Sequence, residues 1–224
     1  MGLAEYKKKR RFNKTPEPGP EKKTSEFGNI FVVQKHRATQ LHYDFRLEAD
    51  GVLLSWAVPK GPSMDPNVKR LAMHVEDHPV DYANFEGVIP EGEYGGGTVM
   101  VWDNGIYGPE ETRSVTQAVA KGELKFAMLG QKLKGSFVLV RTRERQWLLI
   151  KHRDQYAKEG EDIADTQPYS VLTKRTLAEI AEDEGGNARK AVTGDPKKLP
   201  ARRGIKRRKK SAKKKVWHSK KRER

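Results

Sequence analysis

The stretch Leu41-His42-Tyr43-Asp44-Phe45-Arg46-Leu47-Glu48 decides how this chain is read. A β-strand sends successive side chains to opposite faces. Leu41, Tyr43, Phe45 and Leu47 then share an apolar face, while His42, Asp44, Arg46 and Glu48 share a polar one. Such alternation predicts a half-buried strand and not a helix. It also sets an imidazole, a carboxylate and a guanidinium side by side. An imidazole and a carboxylate two residues apart on one face can both reach a divalent cation at about 2.0 to 2.2 Å. With His36 arriving from the end of the preceding strand, the set His36-x5-His42-x-Asp44 leaves coordination positions open, as catalysis requires. Arg46, one step further along that face, is placed to take a phosphate oxygen bidentately. The competing reading is a solvated outer face that binds nothing.

Outward from this strand, the run Arg70 to Tyr82 (RLAMHVEDHPVDY) offers partners. Its alternation assigns Arg70, Ala72, His74 and Glu76 to one face and Leu71, Met73 and Val75 to the other. His78 follows at the strand end beside Pro79, where a loop can aim it at a site. The glycine-rich segment Gly87 to Gly97 lacks the Gly-Lys-Ser/Thr ending of a P-loop and reads as a turn between strands. Trp56 and Trp102 read as core residues, and His152 and His218 as structural ones.

Short β-type runs recur on both sides: Ile30 to Gln34, Val52 to Val58, Leu71 to Glu76, Thr98 to Trp102, Leu124 to Met128, Ser136 to Arg141 and Gln146 to Lys151. Many short strands separated by Gly and Pro predict a mainly β fold, a barrel or a sandwich. Two short helices are expected, Ser114 to Lys121 and Thr176 to Asp183. Residues 1–28 read as a basic, Pro- and Gly-rich irregular arm, 29–184 as one core, and 185–224 as a disordered basic tail.

The chain has 224 residues, 35% hydrophobic and 33% charged, with a net charge of +15. Sixteen of its 45 Lys and Arg lie between Lys197 and Arg224, against the single acid Glu223, so residues 1–196 are formally neutral. The basic surplus is therefore a property of the tail, which is expected to grip a DNA backbone without sequence preference. Trp217 and His218 could stack on bases there. With no cysteine, disulfides and thiolate metal sites are excluded. No apolar run approaches the roughly 18 to 20 residues that span a bilayer, so no membrane is expected and the chain reads as cytoplasmic and nucleoid-associated.

Several blocks together resemble the 3′-phosphoesterase domain of bacterial DNA ligase D, in its full order. They are FVVQKH (Phe31 to His36), LHYDFRLE (Leu41 to Glu48), SWAVPKGPS (Ser55 to Ser63), KRLA (Lys69 to Ala72), EDHPVDY (Glu76 to Tyr82), FEGVIPEGEYGGG (Phe85 to Gly97) and VWDNG (Val101 to Gly105). The resemblance covers roughly residues 5 to 175, with no polymerase or ligase segment, as in a free-standing member. It implies an antiparallel β-barrel and a manganese-type site at His36, His42 and Asp44. It implies that Arg46 and His78 hold the phosphate, with Lys60, Arg70, Glu76 and Tyr82 assisting. It also implies a two-step reaction at DNA 3′ ends, in which a terminal ribonucleotide loses its nucleoside and the remaining 3′-phosphate is then removed. Ku and a DNA ligase or polymerase are the partners it suggests. The arm's family pattern appears as Lys9-Arg10-Arg11-Phe12 with Glu17-Pro18, which adds Arg10 and Glu17 to the substrate-binding set. Arg11 stands where an acid is usual, a departure that bears on the ribonuclease-like first step.

From donor chemistry alone, a His, His, Asp set suits manganese, iron, zinc, cobalt or nickel, and manganese follows from the resemblance. Two rival readings remain. One is a DNA-binding barrel without chemistry. The other is an iron and 2-oxoacid dioxygenase, opposed by Asp162, which follows His152 by ten residues where that family places an Arg.

Overall fold

The β2–β3 turn shows why the chain folds as hairpins. Asp50 and Gly51, at φ 50 and 77°, are the two residues between Ala49 and Val52, which pair with each other. Positive φ at both central residues matches the right-handed twist of the flanking strands, and Asp-Gly accepts it at low cost. The computed structural model describes residues 2–111 and 113–202. Its strands are β1 (Ile30–Arg37), β2 (Leu41–Ala49), β3 (Val52–Val58), β4 (Lys69–His74), β5 (Gly87–Ile89), β6 (Gly97–Pro109), β7 (Glu123–Gly130), β8 (Lys134–Arg143) and β9 (Gln146–Lys151). The order β1-β2-β3-β4-β9-β8-β7-β6 closes through β6 onto β1, giving an antiparallel barrel of eight strands, and β5 adds to β6 outside that ring. Closure removes the unpaired edges that an open sheet would carry.

The long strand β6 makes closure possible, pairing with β1 along one side and with β5 and then β7 along the other. It begins at Gly97, where a Cβ would collide with the Arg37 carbonyl oxygen of β1. Inside the barrel Tyr43 meets Trp102, Phe45 meets Phe126, and Trp56 meets Trp147, with ring centroids 5.5 to 5.9 Å apart. The apolar face expected for β2 is thus the interior, and Trp56 and Trp102 are core residues.

Both expected helices form, α2 (Val115–Lys121) and α4 (Leu177–Asp183), with the short α3 (Ile163–Thr166) between them. Ser114 caps the first, and Thr176 with Glu179 forms a capping box on the second. Three regions depart from expectation. The arm contains a helix, α1 (Ala4–Lys9), whose Tyr6 is fully buried. On β4 the two faces are exchanged: Leu71 is exposed, while Ala72 is buried opposite Trp147 and His74 packs its ring against Trp56. Local alternation could not foresee this, because an exposed leucine is common and the inward position is set by register with β9.

The third departure is the expected tail boundary at 185. Residues 185–202 include α5 (Ala188–Ala191) and a 3-10 turn, Val192–Gly194. Asp195 accepts from the Leu177 and Ala178 amides at the start of α4, and Arg37 Nε donates to Thr193. Polar composition suggested disorder there, but side chains capping another helix hold the segment in place. The remainder of the expected tail, with Trp217 and His218, lies outside the described residues. Among the described residues no helix is long and apolar enough to cross a membrane.

Candidate active site

Strand register assembles the centre. His36 pairs directly with His42 across β1 and β2, Gln34 pairs with Asp44, and Arg46 pairs with Ser55 across β2 and β3. Opposed residues in antiparallel strands project to one side. This side is the outer surface of the barrel, yet Asp44, Arg46, Glu48, Gln34 and Ser55 are all buried there. The cover comes from the arm, from a 3-10 turn at Val80–Asn84, and from the segment joining β5 to β6. Gln34 holds the turn by donating to the Tyr82 and Phe85 carbonyls. Glu48 pins the root of the arm, accepting from Ser25 and from the Ile30 amide, so its role is structural.

The three ligand candidates meet. One donor atom from each of His36, His42 and Asp44 falls within a cluster spanning at most 4.8 Å. His36 Nε2 lies 2.8 Å from the Gly95 carbonyl and His42 Nδ1 lies 3.1 Å from the Gln40 carbonyl. A carbonyl only accepts, so these nitrogens carry the protons. The lone pairs are then on His36 Nδ1 and His42 Nε2, which stand 3.6 and 3.7 Å from Asp44 Oδ2. Outer hydrogen bonds that fix the tautomer and aim the free nitrogen at a carboxylate are the support a metal-binding imidazole needs. Burial lowers the His42 imidazole, which favours the neutral ligand form. Burial alone would raise the Asp44 carboxyl, but neighbouring positive charge, led by the Arg46 guanidinium, holds it well below the ordinary range. The donor set, its protonation and its orientation fit a divalent cation.

Arg46 is locked in place. Its Nε donates to Gln34, its Nη1 donates to Ser55, and its Nη2 lies 3.2 Å from Asp44 Oδ2. His78 is set by backbone pairing with Leu53, where the chain leaving β4 runs beside β3. Its Nδ1 is 2.9 Å from the Glu76 carbonyl and its Nε2 is 3.1 Å from Arg10 Nη2. Arg46 Nη1 also stands 2.9 Å from Nδ1; a proton on Nδ1 satisfies the Glu76 carbonyl and lets Nε2 accept from Arg10, whereas the other tautomer satisfies Arg46 alone. Burial, followed by the charges of Arg46 and Arg10, pushes this imidazole well below its ordinary value. In the ligand-free site His78 is neutral.

The arm delivers Arg10, which bonds Glu76 at 2.8 Å and Glu17 at 3.2 Å. Tyr82 donates to the same Glu17 oxygen at 2.9 Å, and Lys9 reaches Glu76 at 3.1 Å. These groups enclose a cavity of about 160 Å³ lined by Arg10, His36, His42, Asp44, Arg46, Glu76, His78, Tyr82 and Tyr94. Two expected members lie elsewhere. Lys60 is exposed just beyond β3, and Arg70 pairs with Asp162 at 3.3 Å. The β4 face exchange accounts for Arg70, which pairs with Leu149 on β9 and points away from the cavity. Gln34, Ser55 and Tyr94 were missed. The first two could have been found by writing out the hairpin register of the His-Asp-Arg strand, whereas Tyr94 carried no signal beyond its glycine-rich surroundings. His152 bonds Ser136 at 2.7 Å, in the structural role expected of it.

Residues 34–141 match the family described as the DNA ligase D 3′-phosphoesterase domain. The multifunctional non-homologous end joining protein LigD of Pseudomonas aeruginosa is 47% identical over 210 residues, covering 90% of this chain and 24% of its own length. The multifunctional non-homologous end joining DNA repair protein LigD of Mycobacterium tuberculosis is 45% identical over 166 residues, covering 72% of this chain and 22% of its own. A LigD from Mycolicibacterium smegmatis is 42% identical over 168 residues, with the same shares, 72% and 22%. The chain therefore spans about a quarter of the length of these curated relatives.

Proposed function

The chain belongs to the DNA ligase D 3′-phosphoesterase domain family, and from that premise we propose that it is a divalent-metal-dependent phosphoesterase acting on DNA 3′ ends. Its reactions on this reading are removal of a 3′-terminal ribonucleoside and of a 3′-phosphate, leaving a 3′-OH for synthesis or ligation. The observation that carries the proposal is the convergence of two imidazole lone pairs and a buried guanidinium on one Asp44 oxygen.

Charge supports the need for a metal. Among the described residues lining the cavity, Arg10 and Arg46 are balanced by Asp44 and Glu76, and burial favours the neutral forms of His42 and His78. A cavity of zero net charge has little attraction for a phosphate dianion, whereas a bound dication makes it strongly positive. His36, His42 and Asp44 would hold such a cation, which would supply Lewis-acid polarisation of a phosphate oxygen and a bound water of lowered pKa. Manganese is the metal proposed.

The side chains supply the rest. Arg46, already immobilised by Gln34, Ser55 and Asp44, offers its charge to the phosphoryl oxygens without having to be reordered in the transition state. Arg10 offers a second guanidinium from the arm, oriented by Glu17 and Glu76. His78 cannot start as an acid, because two neighbouring guanidiniums oppose its protonation. Burial is the larger cause and stays, but a bound phosphate dianion would offset both guanidinium charges and favour the imidazolium, which links proton donation to the leaving oxygen to occupancy. Ku and a ligase or polymerase are the partners that the family resemblance suggests, for a chain whose curated relatives are named as non-homologous end joining proteins. The deciding assay uses metal-stripped protein and a primer-template ending in 3′-phosphate. Manganese-dependent release of inorganic phosphate is expected, and shift of the duplex in a gel without turnover would establish the non-catalytic binding module in its place.

A further inference from the structure

Tyr94 is the one large aromatic side chain among the described residues that both lines the cavity and stands half exposed, at 50%. It lies in the segment between β5 and β6, where the Glu93 amide donates to Pro90 and the Gly96 amide donates to Glu93, two successive tight turns. The next residue, Gly95, supplies the carbonyl that orients His36. The ring is therefore set in register with the metal-ligand cluster by one peptide unit.

Two cations flank it: Lys9 Nζ is 4.9 Å and the Arg10 guanidinium 5.1 Å from the ring centroid, and Lys9 donates to the phenol oxygen at 3.3 Å. These contacts hold the ring from the arm side and leave half of its surface to solvent. The exposed half of the ring is a flat aromatic surface at the mouth of the cavity. An uncharged, flat group suits that position best.

We propose that Tyr94 is a specificity-determining stacking platform for the base of the terminal nucleotide, so that the site senses whether the 3′ end carries a base. The proposal rests on the 3′-end reading above. Stacking of a base on an aromatic ring is tolerant of sequence, which suits an end-processing enzyme. The bland alternative is that Tyr94 only clamps the arm through Lys9.

Two fluorescein-labelled 3′-phosphate primer-templates separate these roles, one ending in an adenine nucleotide and one in a tetrahydrofuran abasic residue. Binding is read by anisotropy and hydrolysis by phosphate release, both with manganese. Tyr94→Ala is expected to raise Kd and KM for the adenine end by about 5- to 30-fold, with the loss falling on KM more than on kcat, and to affect the abasic end far less. Tyr94→Phe, which keeps the ring and loses the Lys9 hydrogen bond, is expected to behave like the wild type on both ends. Equal losses on both ends, or no loss on either, overturn the proposal. If the wild type hydrolyses neither substrate, the phosphoesterase reading fails, and the Kd comparison still decides whether Tyr94 reads the base.

Discussion

Strands β2 and β7 begin from similar alternation and end in different surroundings. In β7, Leu124, Phe126 and Met128 are buried, while most of the intervening residues, such as Glu123 and Ala127, stand in solvent. In β2, every position from Tyr43 to Ala49 is buried. The outer face of β7 is a barrel wall, whereas that of β2 is roofed by the arm and by the segment between β4 and β6. Charged side chains are almost never fully buried without partners. A strand that buries Asp44, Arg46 and Glu48 opposite an equally buried apolar face has therefore been covered for a purpose other than packing.

The sharpest way to break this comparison is to change one carboxylate on each strand. Asp44→Asn should reduce manganese-dependent 3′-phosphatase kcat/KM by at least about 10³-fold, since it disables a ligand and the anchor of Arg46 at once. Glu123→Gln on the open face of β7 should stay within about twofold in the same assay. Comparable losses in both variants would mean that the roofed face holds no centre.

The roof is tested next. Tyr6 is fully buried, stacks under the Arg10 guanidinium at 4.3 Å and donates to the Pro18 carbonyl at 2.7 Å. Tyr6→Ala should cost about 3 kcal/mol in urea unfolding, in the range for deletion of a buried aromatic ring. Activity should fall with it, because Arg10 loses its support. Phe27→Ala, in the same arm but 67% exposed, should change neither quantity measurably. Unchanged stability in Tyr6→Ala would show that the arm is not part of the folded unit.

Arg46 separates charge from geometry within the covered face. Arg46→Lys keeps the cation but cannot satisfy Gln34, Ser55 and Asp44 together, since an ammonium has no planar fork. A loss of about 10²-fold in kcat/KM is expected, smaller than that for Asp44→Asn. Retention of wild-type kcat/KM would mean that only charge matters at this position.

These contrasts also show what could be read from residues alone. The two faces of β2 and the meeting of His42, Asp44 and Arg46 on one of them were legible, because a period of two is a local property of extended chain. The roof was not. Tyr6 and Arg10 sit in an arm whose helix is stabilised by docking onto a distant surface, and short helices have little stability of their own. Gln34 and Ser55 needed the strand register, and Arg70 was misplaced because register with β9 turned its face inward. Residues 185–202 looked disordered for the same reason: Asp195 and Thr193 find their partners on α4 and β1, far away in sequence.

The smallest expected effect compares a histidine inside the barrel with those outside it. His74 stacks between Trp56 and Trp147, at 5.1 and 6.2 Å, and its Nε2 has no partner. Burial first, and then the charges of Arg145 and Arg141, lower its pKa in the folded protein. The unfolded chain, with an ordinary value near 6.5, therefore binds more protons than the folded one as pH falls below that value. The neutral ring's contribution is fully present above about pH 6.5 and is lost progressively as pH drops toward the folded-state value. His74→Phe removes the titration together with the unpaired His74 nitrogen. The stability lost between pH 7.5 and 5.5 should then be smaller than in the wild type, by at most the roughly 1.4 kcal/mol that one pH unit below 6.5 allows, because His42 and His78 titrate in both proteins and cancel. Urea midpoints at the two pH values measure the difference. An identical decline in both proteins would place the whole pH response in the covered face and none in the barrel interior.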